Sequence, residues 1–229
     1  MISKIINMNC LDYMKTQEFQ DLVKTRKVVI VSDPPFNIGY HYKGYKDKMK
    51  EDAYYQMLKE VFTMYDLPFV CVHYPEQLYK LAIYIYTYPE KVISWVYNSN
   101  TGKQHRDIAF FKIKPNLNQI KQPYKNPTDK RIKERIERGI DGGKLYDWWE
   151  INQIKNVSKK EINHPCVMPL EVMRNVIGIL PKDILVYDPF CGSGTTGLAC
   201  KEYGIDFIGT DIDENYCQLS RDRLETKLV

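Results

Sequence analysis

The sequence predicts an α/β fold in which a mostly parallel, twisted sheet is wrapped by helices. Three observations carry this. Short β-branched runs recur between turn signals, stretches with apolar residues at helical spacing alternate with them, and toward the C-terminus a strand passes through a glycine-rich turn straight into a helix.

The strands of the first half read at Lys27-Val-Val-Ile-Val-Ser32, Phe69-Val-Cys-Val-His73, Val92-Ile-Ser-Trp-Val-Tyr97 and Ile108-Ala-Phe-Phe-Lys-Ile113. Between the first two, Tyr55, Leu58, Val61 and Phe62 fall on one face of a helix over Asp52–Met64, and Glu76–Tyr86 repeats the pattern. The second half alternates in the same way: helix Leu170–Ile179, strand Ile184–Asp188, helix Thr195–Tyr203, strand Phe207–Thr210, helix Glu214–Leu224. From Lys114 to Asn163 the strand signal fades, and Pro115, Pro123, Pro127, Gly139, Gly142 and Gly143 punctuate a polar stretch. The expected organisation is one half of the core at 1–114, an inserted region at 115–163 and the other half of the core at 164–229.

A length of 229 residues suits one core with an embedded subdomain better than two full domains. With 44% hydrophobic and 13% aromatic residues the chain can bury a core, which excludes global disorder. Its six cysteines contain no Cys-x-x-Cys pair, so reduced, cytoplasmic thiols are expected instead of a disulfide framework. No apolar run approaches the roughly 20 residues of a membrane span, and the polar start at Met1-Ile-Ser-Lys4 carries no export signal. His41, His73, His105 and His164 share no ligand spacing, so no metal site is expected. A formal charge of +4 is too mild for a purely electrostatic nucleic-acid binder, which makes the distribution of charge matter more than its sum.

In Asp188-Pro-Phe-Cys-Gly-Ser-Gly-Thr-Thr-Gly197 a strand ends in an acid and the chain turns through glycines into a helix. Residues without Cβ let a ligand approach the main chain, and the first amides of the helix face it with the positive end of the dipole. Asp211 closes the next strand about twenty residues after the first glycine, where a carboxylate can accept both hydroxyls of an adenosine ribose. The Gly192, Gly194, Gly197 spacing alone would also suit a nicotinamide-dependent oxidoreductase, but the 18 residues after Asp211 leave no room for a second nucleotide-binding half. A single nucleoside is expected.

Asp33-Pro34-Pro35-Phe36 follows the first strand of the core, at the carboxyl end where open α/β sheets place their ligands. Both prolines fix φ and lack an amide hydrogen, so the carbonyls before them form a rigid row of acceptors. An exocyclic base amine is a poor nucleophile because its lone pair is delocalised into the ring. Two acceptors on its two hydrogens favour a tetrahedral nitrogen. The Asp33 carboxylate and the Pro34 carbonyl are the natural pair, with Phe36 stacking on a base extruded from its duplex.

Together these residues resemble the amino-methyltransferases of DNA, which pair an Asp/Asn/Ser-Pro-Pro-aromatic motif with an Asp-Pro-Phe-x-Gly-x-Gly cofactor loop. The motif order here is that of the beta group, so the resemblance implies a Rossmann-like S-adenosylmethionine-dependent methyltransferase fold, circularly permuted, with 1–114 as the catalytic half of the core, 115–163 as an inserted target-recognition region and 164–229 as the cofactor-binding half. His164-Pro165-Cys166-Val167-Met168-Pro169 is similar to the family's element before the cofactor loop, with Met168 where a lysine is usual. Ile6-Asn7-Met8-Asn9-Cys10-Leu11 is similar to a segment whose acid contacts the cofactor adenine, with Asn9 in place of that acid. The expected catalytic residues are Asp33, Pro34, Pro35 and Phe36. The expected cofactor residues are Asn9, Cys10, Asp33, His164, Pro165, Asp188, Phe190, Cys191, Gly192, Gly194, Thr195, Thr196, Asp211 and Ile212.

Aspartate at the head of the tetrapeptide is typical of adenine-N6 enzymes in this family, whereas cytosine-N4 enzymes usually carry serine. Double-stranded DNA is the implied substrate, with a second copy of the chain and a cognate restriction endonuclease as implied partners. Two regions are expected to meet DNA. One is the basic run with Lys121, Lys125, Lys130, Arg131, Lys133, Arg135 and Arg138. The other is the loop after the catalytic motif, with Tyr42, Lys43 and Lys46. The alternatives are cytosine-N4 methylation, the same chemistry on RNA or protein, the oxidoreductase above, and a non-catalytic DNA-binding module.

Overall fold

A computed structural model describes residues 2–39, 47–154 and 167–226. In chain order its elements are β1 (Ser3–Asn7), α1 (Cys10–Met14), α2 (Gln17–Thr25), β2 (Val28–Ser32), α3 (Glu51–Thr63), β3 (Phe69–His73), α4 (Pro75–Ile85), β4 (Lys91–Val96), β5 (His105–Phe111), β6 (Lys121–Gln122), α5 (Lys130–Glu137), β7 (Gly143–Lys144), β8 (Trp148–Glu150), α6 (Leu170–Gly178), β9 (Leu185–Asp188), α7 (Thr195–Tyr203), β10 (Asp206–Asp211) and α8 (Glu214–Glu225).

Eight strands form one sheet in the order β1-β10-β9-β2-β3-β5-β4-β8. All neighbours are parallel except the two pairings of β5, so β5 alone runs against the rest. Strand residues alternate between two cores, as a pleated strand requires. In β2, Val29 and Val31 join the cluster that holds α6 and α7 residues, while Val28 and Ile30 join the cluster under α1 to α4. The helix face read from Tyr55, Leu58, Val61 and Phe62 is wholly buried in the second cluster.

Several elements are additions to the sequence reading. β1 owes its strand character to a partner from the far end of the chain, pairing with β10 from Ser3↔Phe207 to Asn7↔Asp211. The short helices α1 and α2 are set by side-chain caps, with Asn9 accepting from Leu11 N–H at 2.9 Å and Thr16 from Phe19 N–H at 3.3 Å. β5 ends before the expected Ile113 because Lys112 adopts a left-handed φ of 56°. Within 115–163, β8 pairs in parallel with β4 and buries Trp149 in the core, while β6 and β7 form a separate two-stranded ribbon beside α5, which has no buried residue.

This topology positions the site. β2 continues to β3 on one side and β9 to β10 on the other, yet β2 and β9 are neighbours, in register from Val28↔Leu185 to Ile30↔Tyr187. Crossovers that diverge from one point leave a crevice outside the carboxyl ends of those two strands. Asp33 and Asp188 stand at those ends.

Candidate active site

The glycine turn is built as a ligand cradle. Gly192 and Gly194 adopt positive φ of 48° and 74°, a region open to residues without Cβ. A Cβ on Gly194 would come within 2.9 Å of the Ser220 side chain, and one on Gly197 within 2.6 Å of the Phe207 ring. The first glycine pair therefore shapes the turn, and the third lets α7 press against β10. Asp211 pins the turn from the next strand: its Oδ2 accepts from Gly192 N–H at 3.0 Å and its Oδ1 from Asp213 N–H at 2.9 Å. Each of those oxygens keeps a lone pair for a further donor.

A cavity of about 500 Å³ opens over these elements. It is lined by Asn9, Cys10, Asp188, Phe190, Cys191, Gly192, Thr195, Thr196, Asp211 and Ile212 on one side and by Asp33, Pro34, Pro35 and Phe36 on the other. Gly194 shapes the turn without lining the cavity. The expected His164 and Pro165 lie outside the described residues, as do Tyr42, Lys43 and Lys46. Met168, where a lysine was the expectation of the resemblance, is a buried apolar wall of the cavity. Asn9 spends its side-chain oxygen on capping α1, which leaves its amide nitrogen as the donor for a ligand.

Burial raises the carboxyls in both halves of the cavity. Burial pushes the Asp33 carboxyl up to about 6, with the Arg106 guanidinium pulling it down. Asp33 Oδ1 is shielded from solvent and has no hydrogen-bond partner among the described residues. A buried carboxylate oxygen without a partner is costly unless a ligand completes it. Asp188 is pushed up to about 7 by burial, against hydrogen bonds from Thr196 and the Phe190 N–H. Burial also raises the Cys10 thiol to about 12, which makes it an inert wall and not a nucleophile.

Sequence reasoning missed the walls supplied by β3, β4 and β5. Tyr74, Trp95, Tyr97, Lys103 and Arg106 also line the cavity, and Trp95 is held by its indole N–H donating to Ile151 carbonyl at 2.7 Å. Arg106 is buried with its guanidinium 4.6 Å from the Phe36 ring centre and 5.2 Å from that of Trp95. Arg106 stands between His105 and Asp107, ahead of the run read from sequence as a strand at Ile108–Ile113, so no local pattern marked it. The Phe36 ring, expected to receive a base, is stacked on His73 at 4.2 Å and 18°. Past Phe36, the Asp47 carboxylate accepts from the Asn37 and Ile38 N–H groups at 2.7 and 3.1 Å, tying the chain on either side of 40–46 together.

The basic residues Lys121, Lys125, Lys130, Arg131, Lys133, Arg135 and Arg138 are all exposed on the β6–α5 region, and none lines the cavity. Lys125 lies 3.8 Å over the Trp148 ring, which anchors this region to the sheet edge. Among the described residues there is no cluster of side chains able to hold a metal ion, and no helix is long and apolar enough to cross a membrane.

Comparison with known proteins agrees with this fold. Type II methyltransferase M.HpaI of Haemophilus parainfluenzae is 26% identical over 251 aligned positions, covering 99% of this chain and 76% of that protein. The fold is that of M1.HpyAVI, solved as a complex with S-adenosylmethionine, with a TM-score of 0.64, 18% identity and coverage of 98% and 100% of the two chains. It is equally that of the cytosine-N4-specific PvuII DNA methyltransferase, with a TM-score of 0.64, 14% identity and coverage of 98% and 87%. The sequence profile of the N6/N4 DNA methylase family matches residues 28–222, from the strand before Asp33 to the last helix, and the chain belongs to that family.

Proposed function

We propose that the protein transfers a methyl group from S-adenosylmethionine to the exocyclic N6 amine of an adenine extruded from double-stranded DNA. The observation that carries this reading is the buried Oδ1 of Asp33, without a partner among the described residues, which shares one cavity with the glycine turn and Asp211. The cavity fits both ligands: a turn that excludes side chains and a ribose-type carboxylate on one side, an orphan acceptor with aromatic walls on the other. Asp211, Gly192, Asn9 and the first turn of α7 would hold the cofactor, which when bound supplies an electrophilic methyl group.

The remaining chemistry belongs to this chain. Asp33 and the Pro34 carbonyl accept the two amine hydrogens, which draws the nitrogen lone pair out of the ring and favours the tetrahedral geometry of the transition state. With its carboxyl near neutrality, Asp33 can also take the proton that the amine gives up. Arg106 keeps Asp33 from being neutralised outright by burial. The aromatic walls exclude water and give a base flat surfaces to pack on.

Asp33 at the head of the motif supports adenine. Cytosine-N4 methylation is the second reading, because the PvuII enzyme of that specificity has the same fold. Sequencing the modified bases in DNA from an otherwise unmethylated host that expresses the protein tests the choice. N6-methyladenine at one recurrent sequence is expected; N4-methylcytosine would move the proposal to the second reading, and unmodified DNA would refute both.

The exposed basic residues of β6 and α5 are placed by this reading on the phosphate backbone, outside the catalytic cavity. Neutralising Arg131, Lys133 and Arg135 together is expected to reduce the salt slope of DNA binding by about 2–3 and to weaken affinity about tenfold or more, with cofactor affinity unchanged. An unaltered slope in a salt titration would put DNA on another face. The same reading puts the enzyme in the cytoplasm with its DNA, and makes a second copy and a cognate restriction endonuclease the partners to look for by sedimentation and co-purification.

A further inference from the structure

We infer that His73 and Tyr54 are positioning residues for Asp33-Pro34-Pro35-Phe36: a one-directional hydrogen-bond relay through them holds the Pro35 carbonyl, and the His73 ring holds Phe36. The inference rests on the reading of that tetrapeptide as the amine-binding motif.

The backbone of the motif is almost fixed by its own sequence. The rings of Pro34 and Pro35 set their φ, and because Asp33 and Pro34 each precede a proline, their ψ is confined to the extended region. The torsion left open is ψ of Pro35, which swings the Pro35 carbonyl and with it the approach of Phe36. Tyr54, projecting from α3 and almost wholly buried, donates its hydroxyl hydrogen to that carbonyl at 2.9 Å. The free torsion is thereby closed from outside the motif.

The direction of the relay follows from one immovable donor. The Tyr74 backbone N–H donates to His73 Nδ1 at 2.8 Å, so Nδ1 carries the lone pair and the neutral ring has its hydrogen on Nε2. His73 Nε2 lies 2.8 Å from the Tyr54 hydroxyl and donates to it. Tyr54 then has its own hydrogen to give to Pro35. The chain of donors runs Tyr74, His73, Tyr54, Pro35. Burial and the nearby Arg106 press the His73 imidazole down to about 3, so it stays neutral and does not itself exchange protons with substrate. The same ring stacks on Phe36 at 4.2 Å, coupling the side chain of the motif to the relay that fixes its backbone. Both anchors lie on elements that sequence periodicity assigns to packing, which is why the tetrapeptide alone does not reveal them.

The test uses the purified full chain, S-adenosylhomocysteine binding, DNA substrate and single-turnover methylation, with Asp33→Ala as reference. Tyr54→Phe keeps the ring and removes the donor. It is expected to slow methyl transfer about tenfold while the S-adenosylhomocysteine Kd and the DNA KM stay within about twofold. His73→Gln places an amide donor near the position of Nε2 but removes the ring stacked on Phe36, so transfer is expected to fall about threefold, well short of the loss in Tyr54→Phe. His73→Asn reaches only the position of Nδ1 and is expected to fall with Tyr54→Phe. Should Tyr54→Phe fail to fold, the Gln and Asn pair decides, since both remove the imidazole. A wild-type rate in folded Tyr54→Phe, equal losses in the Gln and Asn variants, or a loss confined to KM overturns the relay. If Asp33→Ala still methylates, the motif reading itself fails; if it is inactive while Tyr54→Phe is not, the relay alone fails.

Discussion

Asp33→Ala is expected to abolish methyl transfer, with a loss of at least about 10³-fold in single-turnover rate, while S-adenosylhomocysteine binds within about threefold of wild type. The asymmetry follows from the role proposed for Asp33. Its Oδ1 is shielded and without a partner among the described residues, so on the proposed reading its capacity to accept is used only when an amine hydrogen arrives. The glycine turn and Asp211, which form the opposite wall, do not depend on it for any hydrogen bond. Rapid-quench methylation and calorimetry check the two halves separately. A variant that methylates at the wild-type rate would remove Asp33 from the mechanism.

The same residue carries a stability cost. Its folded-state carboxyl is raised by burial to about 6 from an ordinary 3.8, so between those values the folded protein binds more protons than the unfolded chain. Stability from this group is therefore greatest at low pH and falls as pH rises through about 6, where the buried group becomes charged. Asp33→Asn, which keeps the shape and removes the charge, is expected to raise the stability of the ligand-free protein at pH 8 by on the order of 1–3 kcal/mol. The gain should shrink as pH falls below 6 and vanish near pH 4, read from denaturant melts across that range. A gain independent of pH would mean that the charge of Asp33 is not what strains the fold.

The second large effect is expected at Asp211. Asp211→Ala removes a carboxylate that pins the Gly192 and Asp213 amides and, on the proposed reading, offers further lone pairs to a vicinal diol. Two charge-assisted hydrogen bonds to a ligand amount to about 3–6 kcal/mol, so affinity for S-adenosylhomocysteine is expected to fall at least about 100-fold. Asp211→Asn keeps one carbonyl acceptor and should fall between the two. NAD is expected to bind neither the wild type nor the variants. Calorimetry showing tight NAD binding, or an Asp211→Ala variant with wild-type affinity for S-adenosylhomocysteine, would remove Asp211 and the glycine turn from the role given to them.

What sequence could and could not disclose follows from where each signal resides. Asp33 and Asp211 were legible because each closes a β-branched run beside residues that constrain the backbone, the two prolines in one case and the next acidic turn in the other. The glycine turn was legible for the same reason, and Gly197 gains a specific task in the contact of α7 with Phe207. Arg106, His73 and Tyr54 were not legible as site residues. Tyr54 and His73 sit in stretches whose periodicity speaks for packing, Arg106 stands among polar neighbours ahead of the expected strand, and only pairing of β3 with β5 and docking of α3 bring the three around one tetrapeptide. β1 was missed because five residues without a local turn or alternation become a strand only through β10. β8 was missed because its short run is made a strand by pairing with β4.

The most direct test of the account is nucleoside mass spectrometry of duplex DNA incubated with the purified protein and methyl-labelled S-adenosylmethionine. The account predicts label in N6-methyldeoxyadenosine, dependent on Asp33. Label in N4-methyldeoxycytidine would contradict the assignment of the base, and DNA that stays unlabelled while the protein binds S-adenosylhomocysteine would contradict methylation of DNA itself.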